Sequence, residues 1–103
     1  MKKVALIVSR SPAFRAYVRW LGLADHNTEI LTFVGPRDEH LLNGRVVLGM
    51  LPYRLARRCR EVVQVDLLHP QQIKANDLTL AQMQEYGCRI SRYKIEWLGD
   101  IEP

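Results

Sequence analysis

The stretch RVVLGMLPYRLARRCR, residues Arg45–Arg60, contains a strand, a tight turn and the start of a helix. Val46–Leu48 is an unbroken apolar run with β-branched members, which is typical of a strand buried on both faces of a parallel sheet. Gly49 ends the run, and Pro52 suits the first turn of a helix, where a missing N–H costs nothing. The stretch therefore predicts a direct passage from a strand end to a helix N-terminus.

Such a helix start is suited to binding an anion. Its first backbone N–H groups have no intrahelical partner and carry the positive end of the helix dipole. We therefore predict that this turn binds a phosphate. Its candidate ligand-binding residues are Gly49, Met50, Leu51, Pro52, Tyr53 and Arg54. Arg54 either neutralises the anion or belongs to an exposed basic helix face.

A second turn of the same kind occurs near the start of the chain. The apolar run Val4–Val8 is followed by Ser9, Arg10, Ser11 and Pro12. Ser11 is well placed to cap the following helix. Arg15 lies one turn from the helix start and is a further candidate ligand-binding residue. In an open parallel sheet, both turns fall at the carboxyl edge of the strands, where ligands of such folds bind. The sequence thus predicts two neighbouring anion-binding corners.

Length and composition indicate an ordinary globular protein. The chain has 103 residues, which predicts a single domain over residues 1–103. Fifteen Lys and Arg residues against eleven Asp and Glu give a net charge of +4, which is compatible with a polyanionic partner. Cys59 and Cys88 are far apart and lack metal-ligand spacing, so we expect both to be reduced and structural.

No segment predicts export or membrane insertion. The apolar run Val4–Val8 is far shorter than the ~20 residues of a membrane span. We therefore expect a cytoplasmic protein with no membrane partner.

The remaining pattern predicts a small α/β three-layer sandwich with a four-stranded, mostly parallel sheet. The predicted elements are strands over about Lys3–Val8, Thr28–Val34, Val46–Leu48 and Val62–Leu67, and helices over Pro12–Leu21 and Pro52–Arg60. A final helix begins at Thr79, which forms a capping-box pattern with Gln82. Met83, Tyr86, Ile90, Tyr93 and Trp97 repeat at helical spacing, and we expect them to serve core or dimer packing rather than base stacking. The alternating pattern in Tyr93–Trp97 is also compatible with a terminal strand. The third predicted strand, Val46–Leu48, either lies parallel to its neighbours or forms a hairpin.

The sequence offers little for metal or nucleotide-fold chemistry. His26, His40 and His69 are far apart, and none has ligand spacing to a carboxylate or cysteine. Neither a phosphate-binding P-loop motif nor a dinucleotide-binding glycine motif is present. We therefore expect no cofactor and no metal. His69 lies in a loop at the same sheet edge as the two corners, so it is also a candidate ligand-binding residue. It either takes part in the chemistry or is merely exposed.

Three blocks of sequence resemble a known family. VSRSP (Val8–Pro12), GMLPYRLA (Gly49–Ala56) and DLTLAQMQEYGCRI (Asp77–Ile90) are similar, in order and spacing, to small CRISPR-associated proteins of type III systems. The resemblance implies a Rossmann-like, CARF-like fold. It also implies a ring nuclease, which cleaves the cyclic tetra-adenylate second messenger and so switches off antiviral signalling.

The two predicted corners and the family resemblance indicate the same chemistry. The ribose 2′-hydroxyl would attack the neighbouring phosphorus without a metal, giving a 2′,3′-cyclic phosphate, while a homodimer presents four corners to the four phosphates. We expect Arg10 to stabilise the developing charge, with Ser9 and Ser11 orienting the ribose or phosphate. Two alternatives remain open: a cyclic oligoadenylate-binding sponge or sensor, and a basic nucleic-acid-binding module. The basic face of the predicted helix Pro52–Arg60 (helix two) lacks interleaved aromatics, so we expect no stable long nucleic acid partner.

Overall fold

A five-stranded mixed sheet forms the centre of the protein. The computed structural model describes residues 2–103. The strands are β1 (Leu6–Val8), β2 (Glu29–Leu31), β3 (Val46–Leu48), β4 (Glu61–Leu67) and β5 (Cys88–Tyr93), and the helices are α1 (Pro12–Trp20), α2 (Tyr53–Ala56) and α3 (Leu80–Tyr86). Two short 3₁₀ segments, Glu39–Leu42 and Ala75–Asp77, lie in the connections. The α/β class predicted from the sequence is confirmed.

The strand order β2-β1-β3-β4-β5 places the two predicted corners side by side. β1 pairs in parallel with both β2 and β3, and β3 pairs in parallel with β4. Strand three is therefore parallel, and the hairpin alternative is wrong. The chain leaves β1 toward β2 on one side and later returns to β3 on the other, so the order switches between β1 and β3. Ligands of open α/β sheets bind at such a switch point.

Apolar side chains on both faces of the sheet explain the layers. Alternate strand residues point to opposite faces, so Ile7, Leu48 and Val63 form one core with Val18 of α1. Their neighbours Leu6, Val47 and Val62 form a second core, which packs against Leu55 and Ala56 of α2. Met83 of α3 packs beside Tyr17 of α1. Helices thus cover both faces of the sheet.

The second helix is much shorter than predicted. Instead of Pro52–Arg60, α2 is the single turn Tyr53–Ala56. The N–H groups of Arg58 and Cys59 bond to carbonyls three residues back, and the N–H of Arg60 bonds to Arg45 O, so the chain has already turned toward β4. Intrinsic helix propensity favours a longer helix in this arginine-rich segment. The helix nevertheless ends early, because the chain enters β4 at Glu61. Within residues 2–103, no helix is long and apolar enough to cross a membrane.

The C-terminal region departs most from the prediction. The Thr79–Gln82 capping box is present, but α3 ends at Gly87, whose φ of 77° favours glycine. The predicted helical continuation through Ile90 to Trp97 is wrong, and so is the four-strand count. Residues Cys88–Tyr93 form β5, which pairs antiparallel with β4. The open alternative, a terminal strand, is right in kind, although it lies earlier than Tyr93–Trp97.

Candidate functional site

A cleft of about 690 Å³ opens at the carboxyl edge of β1, β3 and β4. Its volume lies within the range of drug-sized ligand pockets, roughly 300–1,000 Å³. Eight of the eleven candidate residues line it: Ser9, Ser11, Gly49, Met50, Leu51, Pro52, Arg54 and His69. Arg10, Arg15 and Tyr53 lie outside the lining. The two corners therefore share one concave surface.

Two serine hydroxyls form the first corner. Ser11 caps α1, because its Oγ accepts a hydrogen bond from the Phe14 N–H at 3.1 Å. Ser9 Oγ accepts from the Ser11 N–H at 3.2 Å. A serine hydroxyl has one hydrogen to donate in addition to its lone pairs, and neither hydroxyl donates to another group within residues 2–103. Both are thus free to donate to a ligand oxygen.

Two arginines flank this corner without lining the cleft. The guanidinium of Arg15 donates a hydrogen bond to the Ser9 carbonyl at 2.9 Å, so Arg15 stabilises the turn without lining the cleft. Arg10 is exposed, and its guanidinium carbon lies 5.9 Å from the centre of the Phe33 ring, which does line the cleft. Arg10 therefore lies at the rim, beside the opening.

The second corner depends on a close backbone approach. A Cβ placed on Gly49 would lie 2.9 Å from the Val8 carbonyl oxygen, so only glycine lets β3 pass β1 at this distance. Beyond it, the N–H groups of Met50 and Leu51 have no hydrogen-bond partner within the described chain. The dipole of the one-turn α2 is too short to contribute much, so these loop N–H groups are the available donors.

Arg54, the cation predicted to neutralise an anion at this corner, is already paired with the carboxylate of Glu39. Arg54 forms an ion pair with Glu39, with Nη1 2.8 Å from Oε1, and Arg58 also approaches the same oxygen at 3.7 Å. Arg54 can therefore bind a ligand phosphate only by sharing or leaving this carboxylate. The pair joins residues 15 positions apart, which no local sequence pattern predicts.

The opposite wall contains polar residues that sequence reasoning did not single out. Asp66, near the end of β4, and Asn76, in the following loop, line the cleft together with His69. His69 Nδ1 lies 2.9 Å from the Pro70 carbonyl oxygen. A proton on Nδ1 would be donated to that carbonyl, which leaves the lone pair on Nε2. The available signal for Asp66 was a carboxylate at the carboxyl end of an otherwise apolar strand.

The titratable groups with shifted pKa values are structural. Burial, with Cys88 beside it, raises the pKa of Tyr17 to about 12, and burial raises the pKa of the Cys59 thiol. A hydrogen bond from the Asn27 backbone lowers the pKa of Asp25. The hydrogen bond between Arg92 and Glu61 lowers the pKa of Glu61 and raises that of Arg92. None of the five lines the cleft. Within residues 2–103, no three His, Cys, Asp or Glu residues lie together as a metal site.

Comparison with known protein families identifies a family for this chain. A family model described as "Putative CRISPR-associated protein (Cas_VVA1548)" matches residues 6–96. The match includes both corners, the His69 loop and all five strands. No curated protein and no solved structure matches the chain.

Proposed function

The chain belongs to the CRISPR-associated family Cas_VVA1548, and from this premise we propose that it is a ring nuclease that cleaves cyclic tetra-adenylate in type III systems. Family membership confirms the CRISPR-associated part of the sequence prediction. The substrate and the reaction rest on the resemblance of the three sequence blocks and on the chemistry of the cleft. The strand order, with its switch between β1 and β3, supports the CARF-like assignment.

One observation carries the proposal: two groups of free donors lie on the same cleft. Ser9 and Ser11 supply hydroxyl hydrogens, and the Met50 and Leu51 loop supplies backbone N–H groups. The strands that bear them pair in parallel, and they pass so closely at Gly49 that an added Cβ there would lie 2.9 Å from the Val8 carbonyl oxygen. Donors converging on one cavity suit a ligand with several phosphates in a fixed arrangement.

A homodimer would match the symmetry of the substrate. The ring has four phosphates, and a twofold dimer of this chain presents four corners. Exposed apolar side chains stand near the second corner: Met50 is 83% exposed and Tyr53 is 80% exposed. Burying them against a second subunit would remove apolar surface from water and enclose the ring.

The reaction we propose is an in-line attack by the ribose 2′-hydroxyl on the adjacent phosphorus. The 2′-oxygen bonds to phosphorus as the bond to the 5′-oxygen breaks, giving a 2′,3′-cyclic phosphate and a free 5′-hydroxyl. Arg10, from the rim, stabilises the negative charge on the phosphoryl oxygens, and Ser9 and Ser11 donate to them. His69 Nε2 accepts the proton that leaves the 2′-hydroxyl, and water supplies the proton that the departing 5′-oxygen gains.

The test is product analysis with labelled cyclic tetra-adenylate in excess EDTA. The wild-type protein should give linear products with 2′,3′-cyclic phosphate ends. Arg10→Ala should retain binding and lose about 10²-fold or more in cleavage rate, because it removes charge stabilisation in the transition state. Arg60→Ala is the matched control, since this exposed arginine precedes β4 at the opposite edge of the sheet.

Three results would contradict parts of the proposal. Binding without any product would favour the sponge or sensor alternative. Cleavage that stops in EDTA would exclude the metal-independent route. Equal rates for Arg10→Ala and Arg60→Ala would remove Arg10 from the mechanism.

A further inference from the structure

A second groove lies at the edge of the sheet opposite the cleft. β5 runs antiparallel to β4, so it carries the chain from Cys88, beside Leu67, back to Tyr93, beside Val62. Just beyond this point an open groove of about 460 Å³ is lined by Arg57, Arg58, Lys94, Ile95, Glu96 and Trp97. It shares no residue with the cleft.

Trp97 supplies an exposed aromatic face in this groove. The guanidinium carbon of Arg57 lies 4.6 Å from the centre of the Trp97 ring, which is a cation–π contact. Trp97 nevertheless remains 58% exposed. Two residues earlier, Ile95 packs into the core beneath α2, so the segment that carries Trp97 is anchored. The large aromatic ring of Trp97 is therefore fixed in position and yet exposed to solvent.

The charge of the groove is positive. Arg57, Arg58 and Lys94 contribute three cations, against the single carboxylate of Glu96. Glu39 offsets part of the Arg58 charge at 3.7 Å, but it lies closer to Arg54. Within residues 2–103, no ion pair forms with Arg57 or Lys94, so both charges remain available to a partner.

We propose that this groove binds single-stranded nucleic acid. A base stacks on the exposed part of Trp97, while Arg58 and Lys94 contact the adjacent backbone phosphates. Aromatic platforms combined with cations that track the backbone are typical of such sites. The sequence of helix two lacks interleaved aromatics, but the fold brings Trp97 to the same surface from a position 40 residues away from Arg57 in the chain. A duplex fits less well, because its bases are already stacked on one another.

The chain offers well-matched control variants. Trp97→Ala removes the platform, and Trp20→Ala removes a tryptophan of nearly equal exposure, 59%, that packs on Tyr17 of α1. Arg58→Glu reverses a charge in the groove, and Lys3→Glu reverses an exposed charge before β1. All four full-length variants can be compared by fluorescence anisotropy with labelled 12-nucleotide RNA and DNA single strands, an RNA duplex and an acidic peptide.

Single strands should bind, with a slope of log affinity against log salt of roughly −1.4 for the two phosphate contacts of Arg58 and Lys94. Trp97→Ala should weaken binding by about ten-fold or more, and Arg58→Glu should weaken it and flatten the slope. Trp20→Ala and Lys3→Glu should behave like the wild-type protein, and saturating cyclic tetra-adenylate should not displace the strand. The RNA and DNA arms identify which strand is preferred.

Several outcomes would overturn the proposal. These are no single-strand binding at 50 mM salt, equal binding of the duplex or the acidic peptide, or an equal loss in Trp97→Ala and Trp20→Ala. Displacement by cyclic tetra-adenylate would place the strand in the cleft instead. Since none of these readouts requires cleavage of the ring, the result is independent of the proposed nuclease activity.

Discussion

Substituting Gly49 with alanine should both destabilise the protein and impair its cleft. The added Cβ would lie 2.9 Å from the Val8 carbonyl oxygen and 3.2 Å from Val8 Cβ. The first of these atoms belongs to the backbone of β1, so it cannot rotate away as a side-chain tip can. Relief requires β1 and β3 to separate by a few tenths of an ångström where they form the floor of the cleft.

The expected cost follows from this overpacking. Inserting a methyl group into a site that cannot yield costs about 1–3 kcal/mol of the free energy of unfolding. For a chain of this size, each kcal/mol lowers the melting temperature by about 4–8 °C. The separation of β1 from β3 also moves the Ser9 and Met50 donors apart, so we expect slower ring cleavage under conditions where the variant is fully folded.

Urea denaturation followed by circular dichroism measures the stability, and product analysis measures the cleavage. Gly35→Ala is the matched control, because its added Cβ would meet a side chain, the Asp38 carboxylate at 3.2 Å, and not the backbone of a strand. That carboxylate accepts a hydrogen bond from the Gly35 N–H, so we expect Gly35→Ala to cost no more than this one hydrogen bond, about 0.5–1.5 kcal/mol, and to leave ring cleavage unchanged. Suppose that Gly49→Ala were as stable as Gly35→Ala and cleaved the ring as fast as the wild-type protein. That result would refute the proposal that the close passage at Gly49 holds the two corners at one cleft.

Two further predictions concern stability. Between pH 10 and about 12, native Tyr17 keeps a proton that the unfolded chain has released, so the free energy of unfolding should fall as pH rises through this window. Tyr17→Phe should flatten that fall in urea titrations at pH 9 to 11, and an unchanged profile would argue against the shift. Thr79→Ala should cost about 0.5–2 kcal/mol in urea, because it removes the capping box of α3. The exposed Thr32→Ala is its control, and an equal effect of both would deny the cap its role.

The two corners could be predicted because their signals are local. Apolar runs that end at Gly49 or Ser9, each followed by a proline, specify a strand that turns directly into a helix. Placing them side by side required only the rule that parallel strands share a carboxyl edge. The strand pairing of β1 with β3 confirms that placement.

Elements whose limits depend on distant contacts could not be predicted. The arginines after Ala56 favour helix by propensity, and only the start of β4 ends it. Between Met83 and Trp97, the apolar residues fit both the spacing of a helix and the alternation of a strand. The informative residue was Gly87, which separates α3 from β5. Two contacts depend on tertiary structure alone. They are the ion pair of Arg54 with Glu39 beside the cleft and the contact of Arg57 with Trp97 in the second groove.

The proposed nuclease requires both corners to contact one ligand. A ¹⁵N-resolved NMR titration with 2′-deoxy cyclic tetra-adenylate, which lacks the attacking hydroxyl, reports contact at each corner separately. We expect the N–H signals of Arg10 and Ala13 to shift together with those of Met50 and Leu51, with one common affinity. Shifts confined to one corner, or none at either, would contradict it.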